Sequence, residues 1–264
     1  MWTVHDQTGN RKGGCRTLQA EANVFELPRS IARELKRCVE SHGIETGPAN
    51  EAIEYLWINV SNQGMPRRED LEPERGPMSL EKWLNVVDEA SSLGVHCLLV
   101  CAGECLSDHP DIWPICQWAQ DAYGMMVGIH TRSRGFGEDE IRHLRALDLR
   151  RMCLFVAADC VEKLRYLTED YGIGLCVADV GEEERSGPCT MPECMVFVGP
   201  EGRVYTCGLV FGERNYCLGS VLDRRLSQIV DDQSLPHVVV DHPKGCSCDA
   251  CPPIMARRVM GAKR

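Results

Sequence analysis

Five short apolar runs alternate with helix-period segments between residues 52 and 180, and this alternation limits the chain to few folds. Tyr55–Val60, Val95–Cys101, Met125–His130, Met152–Ala157 and Gly174–Ala178 each have the length and branched or aromatic content of a strand. Between them, Leu80, Trp83, Leu84, Val87 and Ala90 recur at helical spacing behind Ser79, a residue suited to an N-cap. Ile112, Ile115, Trp118 and Ala119 mark a second inward-facing helix. Ile141, Leu144 and Leu147 mark a third, and Val161, Leu164 and Leu167 a fourth. Strand–helix repetition of this kind predicts a parallel sheet with right-handed crossovers, either open or curled into a shortened partial (β/α) barrel.

The repetition stops at Glu182-Glu183-Glu184 and Ser186-Gly187-Pro188, a linker-like stretch. Three regions are therefore expected. Residues 1–50 are an extension with one helix opening at Pro28, 51–185 an α/β body, and 186–264 a small cysteine-rich domain. A β-hairpin founds the last, with Met195–Val198 and Arg203–Thr206 flanking Gly199-Pro200-Glu201-Gly202.

Sixteen cysteines are too many for an ordinary chain of 264 residues, and seven of them lie beyond the linker. The first residues stay polar, without the apolar core of an export signal, so a cytoplasmic setting with reduced thiols is expected. No run approaches the roughly 20 apolar residues that span a bilayer. A net charge of −10 argues against a nucleic-acid partner. Metal ligation is then the natural use of the tail thiols. The hairpin register brings Cys194 and Cys207 within about one residue of facing each other. Cys248-x-x-Cys251 can close on one ion through a tight turn. Four thiolates can be drawn from Cys189 or Cys194, Cys207, Cys248 and Cys251, with Cys246 and Cys217 as substitutes. Spacing alone leaves iron–sulfur and zinc both open. In the body, Cys97, Cys153 and Cys176 read as small buried hydrophobes.

Cys194, Gly202-x4-Cys207, Leu218-Gly219-Ser220-Val221 and the terminal Cys248-x-x-Cys251 together resemble the SPASM/twitch auxiliary-cluster domain of radical SAM proteins. The body resembles the radical SAM partial barrel over about residues 52–180. Cys101-Ala102-Gly103-Glu104-Cys105 stands where that family has its Gly-Gly-Glu-Pro motif. The resemblance implies one auxiliary [4Fe–4S] cluster, and makes Gly103 and Glu104 the positions that would meet S-adenosylmethionine. One departure is decisive for activity. The family's CxxxCxxC loop after the first strand corresponds to Ser61-Asn62-Gln63-Gly64-Met65-Pro66-Arg67-Arg68, with Ser61, Met65 and Arg68 at the thiolate positions. The resemblance thus implies a degenerate member without the radical-generating cluster, and leaves S-adenosylmethionine as an open question. One cluster would serve electron transfer, or docking of a protein, peptide or redox partner. Two alternatives stand beside it: an active enzyme with a cluster relocated to Cys97, Cys101 and Cys105, and a zinc-stapled interaction scaffold.

Overall fold

In the computed structural model, the apolar runs of the body become neighbouring strands of one sheet. The structure describes residues 26–28, 53–61, 76–103, 105–177, 188–189, 195–212, 214–232, 236–238 and 240–241. The helix expected to open at Pro28 lies outside them, apart from strand β1 (Glu26–Pro28), which ends on that proline.

Strands β2 (Tyr55–Asn59), β3 (Cys97–Cys101), β4 (Met126–His130), β5 (Met152–Val156) and β6 (Leu175–Val177) lie side by side in chain order, all parallel. Helices α1 (Leu80–Ser92), α2 (Ile112–Tyr123), α3 (Glu138–Ala146) and α4 (Val161–Tyr171) make the crossovers. Local chemistry sets their ends. The Ser79 hydroxyl accepts from the Lys82 N–H at the start of α1. Gly124 (φ 63°) and Gly172 (φ 70°) close α2 and α4 in the left-handed conformation that glycine adopts without penalty.

After β7 (Pro188–Cys189) the chain forms the expected hairpin, β8 (Met195–Val198) and β9 (Arg203–Tyr205). Gly202 sits at φ +82°, as the turn chemistry requires. The hairpin is not a separate layer. β8 pairs in parallel with β2 (Tyr55 against Met195, Ile58 against Val198), so β2 is an interior strand of an eight-stranded, mostly parallel open sheet. β9 and β10 (Cys217–Ser220) continue it antiparallel to the far edge. A boundary near residue 185 therefore divides the sequence pattern but not the sheet. The signal was present: Met195-Val196-Phe197-Val198 is apolar throughout and fully buried, as an interior strand covered on both faces must be. A short helix, α5 (Leu226–Val230), packs beside α1, where the Ser227 N–H donates to Glu89. Two small antiparallel ribbons complete the described chain: β1 with β11 (Pro236–Val238), and β7 with β12 (Val240–Asp241).

The two faces of the sheet differ. Leu56, Ile58, Leu98, Val100, Ile129 and Leu154 point toward the helices and are at most 0% exposed, forming an aliphatic core with Val87, Ile115 and Leu144. Tyr55, Trp57, Leu99, Cys101, Phe155 and Phe197 occupy the opposite face in a second cluster. Each fully buried Leu or Ile contributes about 1.5–3 kcal/mol, so the helix side supplies most of the driving force. Trp118 departs from expectation. It is 41% exposed on the outer surface of α2, where its indole N–H donates to Asp88, as does the Tyr123 hydroxyl. Burying it inward would have stranded that N–H.

Candidate metal centre and the inner face of the sheet

Cys207 leaves β9 two residues after Tyr205 and is 5% exposed, packed in the inner-face cluster with Trp57, Phe197 and Tyr205. The approach is close at the next residue. A Cβ added to Gly208 would lie 2.6 Å from the Trp57 ring, so the backbone of the Cys207–Gly208 turn rests directly on the indole. The hairpin turn is fixed to the body as well, through the Met78 N–H, which donates to the Pro200 carbonyl at 2.9 Å. The thiol at 207 thus sits just past the end of β9, on a turn packed against the sheet.

Cys189 lies on β7 opposite Val240 of β12. That register sets its backbone beside the strand from which the chain runs on toward Cys246, Cys248 and Cys251. Those three residues, with Cys194, lie outside the described residues. Cys217, the substitute, pairs across from Tyr205 and packs at the margin of the same cluster as Cys207.

Two buried residues precede Cys207 in the chain, Tyr205 in the same inner-face cluster and Thr206 next along. Tyr205 (0% exposed) and Thr206 (2% exposed) bury their side-chain oxygens, and neither hydroxyl reaches an acceptor. The Gly212 backbone lies near the Tyr205 oxygen, but an amide N–H can only donate, which leaves the phenolic proton without an acceptor. Burial is the main reason the Tyr205 hydroxyl is pushed up, with the Cys217 and Glu201 charges adding to it, so it stays a neutral donor. Cys207, buried against Trp57, Phe197 and Tyr205 with Cys217 at the margin of the same cluster, offers a soft sulfur donor of the kind a thiolate-ligated inorganic group takes.

The body cysteines do not form such a site. Cys97 and Cys101 do share the inner face of β3, but four residues of strand separate them by about 13 Å, too far for one cluster. Burial pushes both thiols up to about 12. The Cys101 sulfur is already engaged: the Trp57 indole N–H donates to it at 3.0 Å, and His130 Nδ1 lies 3.7 Å away. Cys105 contacts the Ser107 hydroxyl at 2.8 Å. Among the described residues, no group of three or more His, Cys, Asp or Glu is placed to hold a metal ion. The relocated centre at Cys97, Cys101 and Cys105 is therefore not assembled. Cys153 is buried and Cys176 half-buried, as expected of core thiols.

At the C-terminal edge of the sheet, Ser61 is fully buried, and its N–H donates to the Asn59 side chain. Residues 62–75, with Met65, Arg67 and Arg68, lie outside the described residues, as does Glu104. Gly103 is described, at φ 71°, and its carbonyl accepts from the Thr131 hydroxyl and the Arg132 N–H. One residue that sequence reasoning missed holds this loop. Glu140, 9% exposed on α3, accepts from the Ser107 N–H at 3.0 Å and the Gly137 N–H at 2.9 Å. Its placement three residues after Gly137, a capping-box spacing, was the available signal.

Residues 189–252 match the SPASM domain, an iron–sulfur cluster-binding domain. The SPASM match takes in Cys189, Cys194, Cys207, Cys246, Cys248 and Cys251 and ends just beyond the last of them. A comparison with the curated proteins finds no match. Among solved structures, BtrN in complex with AdoMet and 2-DOIA is similar at 13% identity and a TM-score of 0.48, covering 70% of this chain and 85% of BtrN. SuiB of Streptococcus suis bound to S-adenosylmethionine gives 14% identity and a TM-score of 0.44, covering 77% of this chain and 70% of SuiB. SuiB bound to its precursor peptide SuiA gives 13% and 0.44. No helix among the described residues is long and apolar enough to cross a membrane.

Proposed function

We propose that this chain is an iron–sulfur protein of the radical SAM/SPASM type that lacks the radical-generating cluster and keeps one auxiliary [4Fe–4S] cluster. The observation that carries this reading is the SPASM match on residues 189–252, a segment in which Cys207 is buried against Trp57, Phe197 and Tyr205. The ligands are Cys207 with a choice from Cys189, Cys194, Cys246, Cys248 and Cys251. When bound, such a cluster supplies one-electron transfer and a covalent staple between distant parts of the chain. The chain's own contribution is to exclude water around Cys207 with Trp57, Tyr205 and Phe197, and to fix the thiol on an interior sheet.

Loss of the radical chemistry is supported by the sequence between Cys38 and Cys97, which contains no cysteine and so leaves the loop after β2 without thiolates. The inner face supports it too. A Cβ on Gly128 would lie 2.9 Å from both Leu99 and Phe155, so side chains fill the middle of that face. The role that remains is electron transfer, or docking of a protein or peptide partner, in the reducing cytoplasm where free thiols persist.

Anaerobic purification with metal analysis tests this. About four irons per chain and a brown colour are expected. About one zinc and no colour would replace the reading with a zinc-stapled scaffold, and about eight irons would restore an active two-cluster enzyme.

A further inference from the structure

Two exposed aromatic rings meet on the outer surface of α2. Among the described residues three large hydrophobics are exposed, and two of them are Trp118 and Tyr123, at 41% and 40%. Their rings stand at a right angle, with centroids 6.3 Å apart and an interplanar angle of 87°. Both donate to one oxygen of Asp88 on α1, the Trp118 indole N–H and the Tyr123 hydroxyl (2.8 Å) each reaching Oδ1. The rings are thereby fixed in advance, so stacking a partner on them costs little further side-chain order.

Asp88 supplies the charge. Among the described residues, no donor reaches its Oδ2 and no ion pair uses it. The surroundings do not neutralise it. Helix α2 carries no Lys or Arg, and α1 carries only Lys82, in its first turn. Asp121 adds a second exposed acid on α2. At the C-terminal end of α2, Arg151 is engaged with the Gly124 carbonyl and with Asp148. The chemistry of an occupant follows from this. An apolar partner would bury the Asp88 carboxylate without a counter-charge, which is costly, and an acidic one would meet Asp88 and Asp121. A cation suits both parts of the corner, with its charge on the ring faces and its N–H groups on Oδ2. Of the two side-chain cations, the guanidinium fits aromatic planes better, being flat, forked and weakly hydrated.

We propose that Trp118, Tyr123 and Asp88 form a docking site for an arginine side chain of a partner polypeptide. This rests on the docking half of the reading above, whose partner it gives a chemistry, and not on the cluster.

The test follows the Trp118 indole N–H resonance of the isotope-labelled full chain during titration with the peptide acetyl-Gly-Ser-Arg-Ser-Gly amide. A saturable shift is expected, with binding about tenfold weaker when citrulline, the uncharged isostere, replaces arginine. Lysine in that place binds several-fold more weakly. Asp88→Asn and Tyr123→Ala keep the reporting indole, and each weakens binding about fivefold. Glu169→Gln removes an exposed acid on α4 and changes the net charge as Asp88→Asn does, yet leaves binding unchanged. Equal loss in Glu169→Gln overturns the proposal, because overall charge would then be the cause. Citrulline or lysine binding as tightly as arginine overturns it too, as does no shift at about 10 mM peptide. A shift on concentrating the protein alone, without peptide binding, replaces it with pairing between copies of the chain. Iron is counted in the same samples. Peptide binding by an iron-free chain keeps the docking site and removes the cluster, whereas iron without binding does the reverse.

Discussion

The two sides of the eight-stranded sheet were filled by different rules. Toward the helices, the strands present Leu56, Ile58, Leu98, Val100, Ile129 and Leu154, aliphatic residues that interlock with Val87, Ile115 and Leu144. Toward the inner side they present Trp57, Phe155, Phe197 and Tyr205, interspersed with Cys101, Cys153 and Cys207. The helix side needs only shape and volume. The inner side carries polar handles that must be matched one by one: the indole N–H of Trp57 finds the Cys101 sulfur, whereas the Tyr205 hydroxyl finds no acceptor. The difference teaches where to look for function: a face filled with aliphatics has only a packing task, and a face lined with sulfur and polar aromatics has groups that can bind.

The sharpest way to break this comparison is at Cys207. Cys207→Ala is expected to abolish most of the bound iron, measured by metal analysis after anaerobic purification, whereas Cys153→Ala on the same face retains it. Equal iron in both variants would erase the distinction between the ligand and the filler thiols. Next in size is the helix side. Leu98→Ala removes a fully buried aliphatic group and is expected to cost about 2–5 kcal/mol in denaturant unfolding, with iron retained at low denaturant.

A smaller effect is expected at the contact between the faces of the cluster turn. Gly208→Ala pushes a methyl into the Trp57 ring and should destabilise by about 1–3 kcal/mol. Combining it with Trp57→Leu should recover part of that loss, since the smaller side chain makes room. A double variant no better than the single would show that the turn is limited by its backbone and not by the indole.

The last test concerns protons. Burial holds the Cys97 and Cys101 thiols at about 12, above the ordinary value of 9.0. The folded form therefore keeps protons that the unfolded chain gives up. Stability from this source is complete below about pH 9 and falls as pH rises toward 12. Thermal unfolding followed from pH 8 to 11 should show the decline, reduced in Cys97→Ala. No change in slope for that variant would assign the alkaline loss elsewhere.

Much of this was legible in the sequence for a simple reason. Period-2 and period-3.6 patterns report burial on one side, and β2 to β6 with α1 to α4 follow them closely. The hairpin was equally legible, because Pro200 and Gly202 carry their backbone preferences locally. What escaped was long-range. Nothing in the local pattern of Met195–Val198 says which strand it will join, although its unbroken apolar run allowed an interior position. Trp118 escaped because helical spacing records which face a residue is on, but not that Asp88 of a neighbouring helix offers its indole an acceptor at the surface. The pairing of Trp57 with Cys101 escaped for the same reason, since two residues on different strands meet only through register. Of the proposed ligands, sequence supplied the residue types, and the structure places Cys207 and the backbone of Cys189.

The parallel pairing of β8 with β2 has a consequence for the order of assembly. As the chain leaves the ribosome, β2 can recruit β3 almost at once, yet its other edge stays open until roughly half the chain has followed. During that interval an apolar strand edge, a template for wrong partners, is exposed. The segment that finally covers it is the same one that brings the cluster thiols. Synthesis of the sheet and maturation of the metal centre are thereby tied to a single late event, so a nascent chain interrupted before Met195 would have neither a finished sheet nor Cys207.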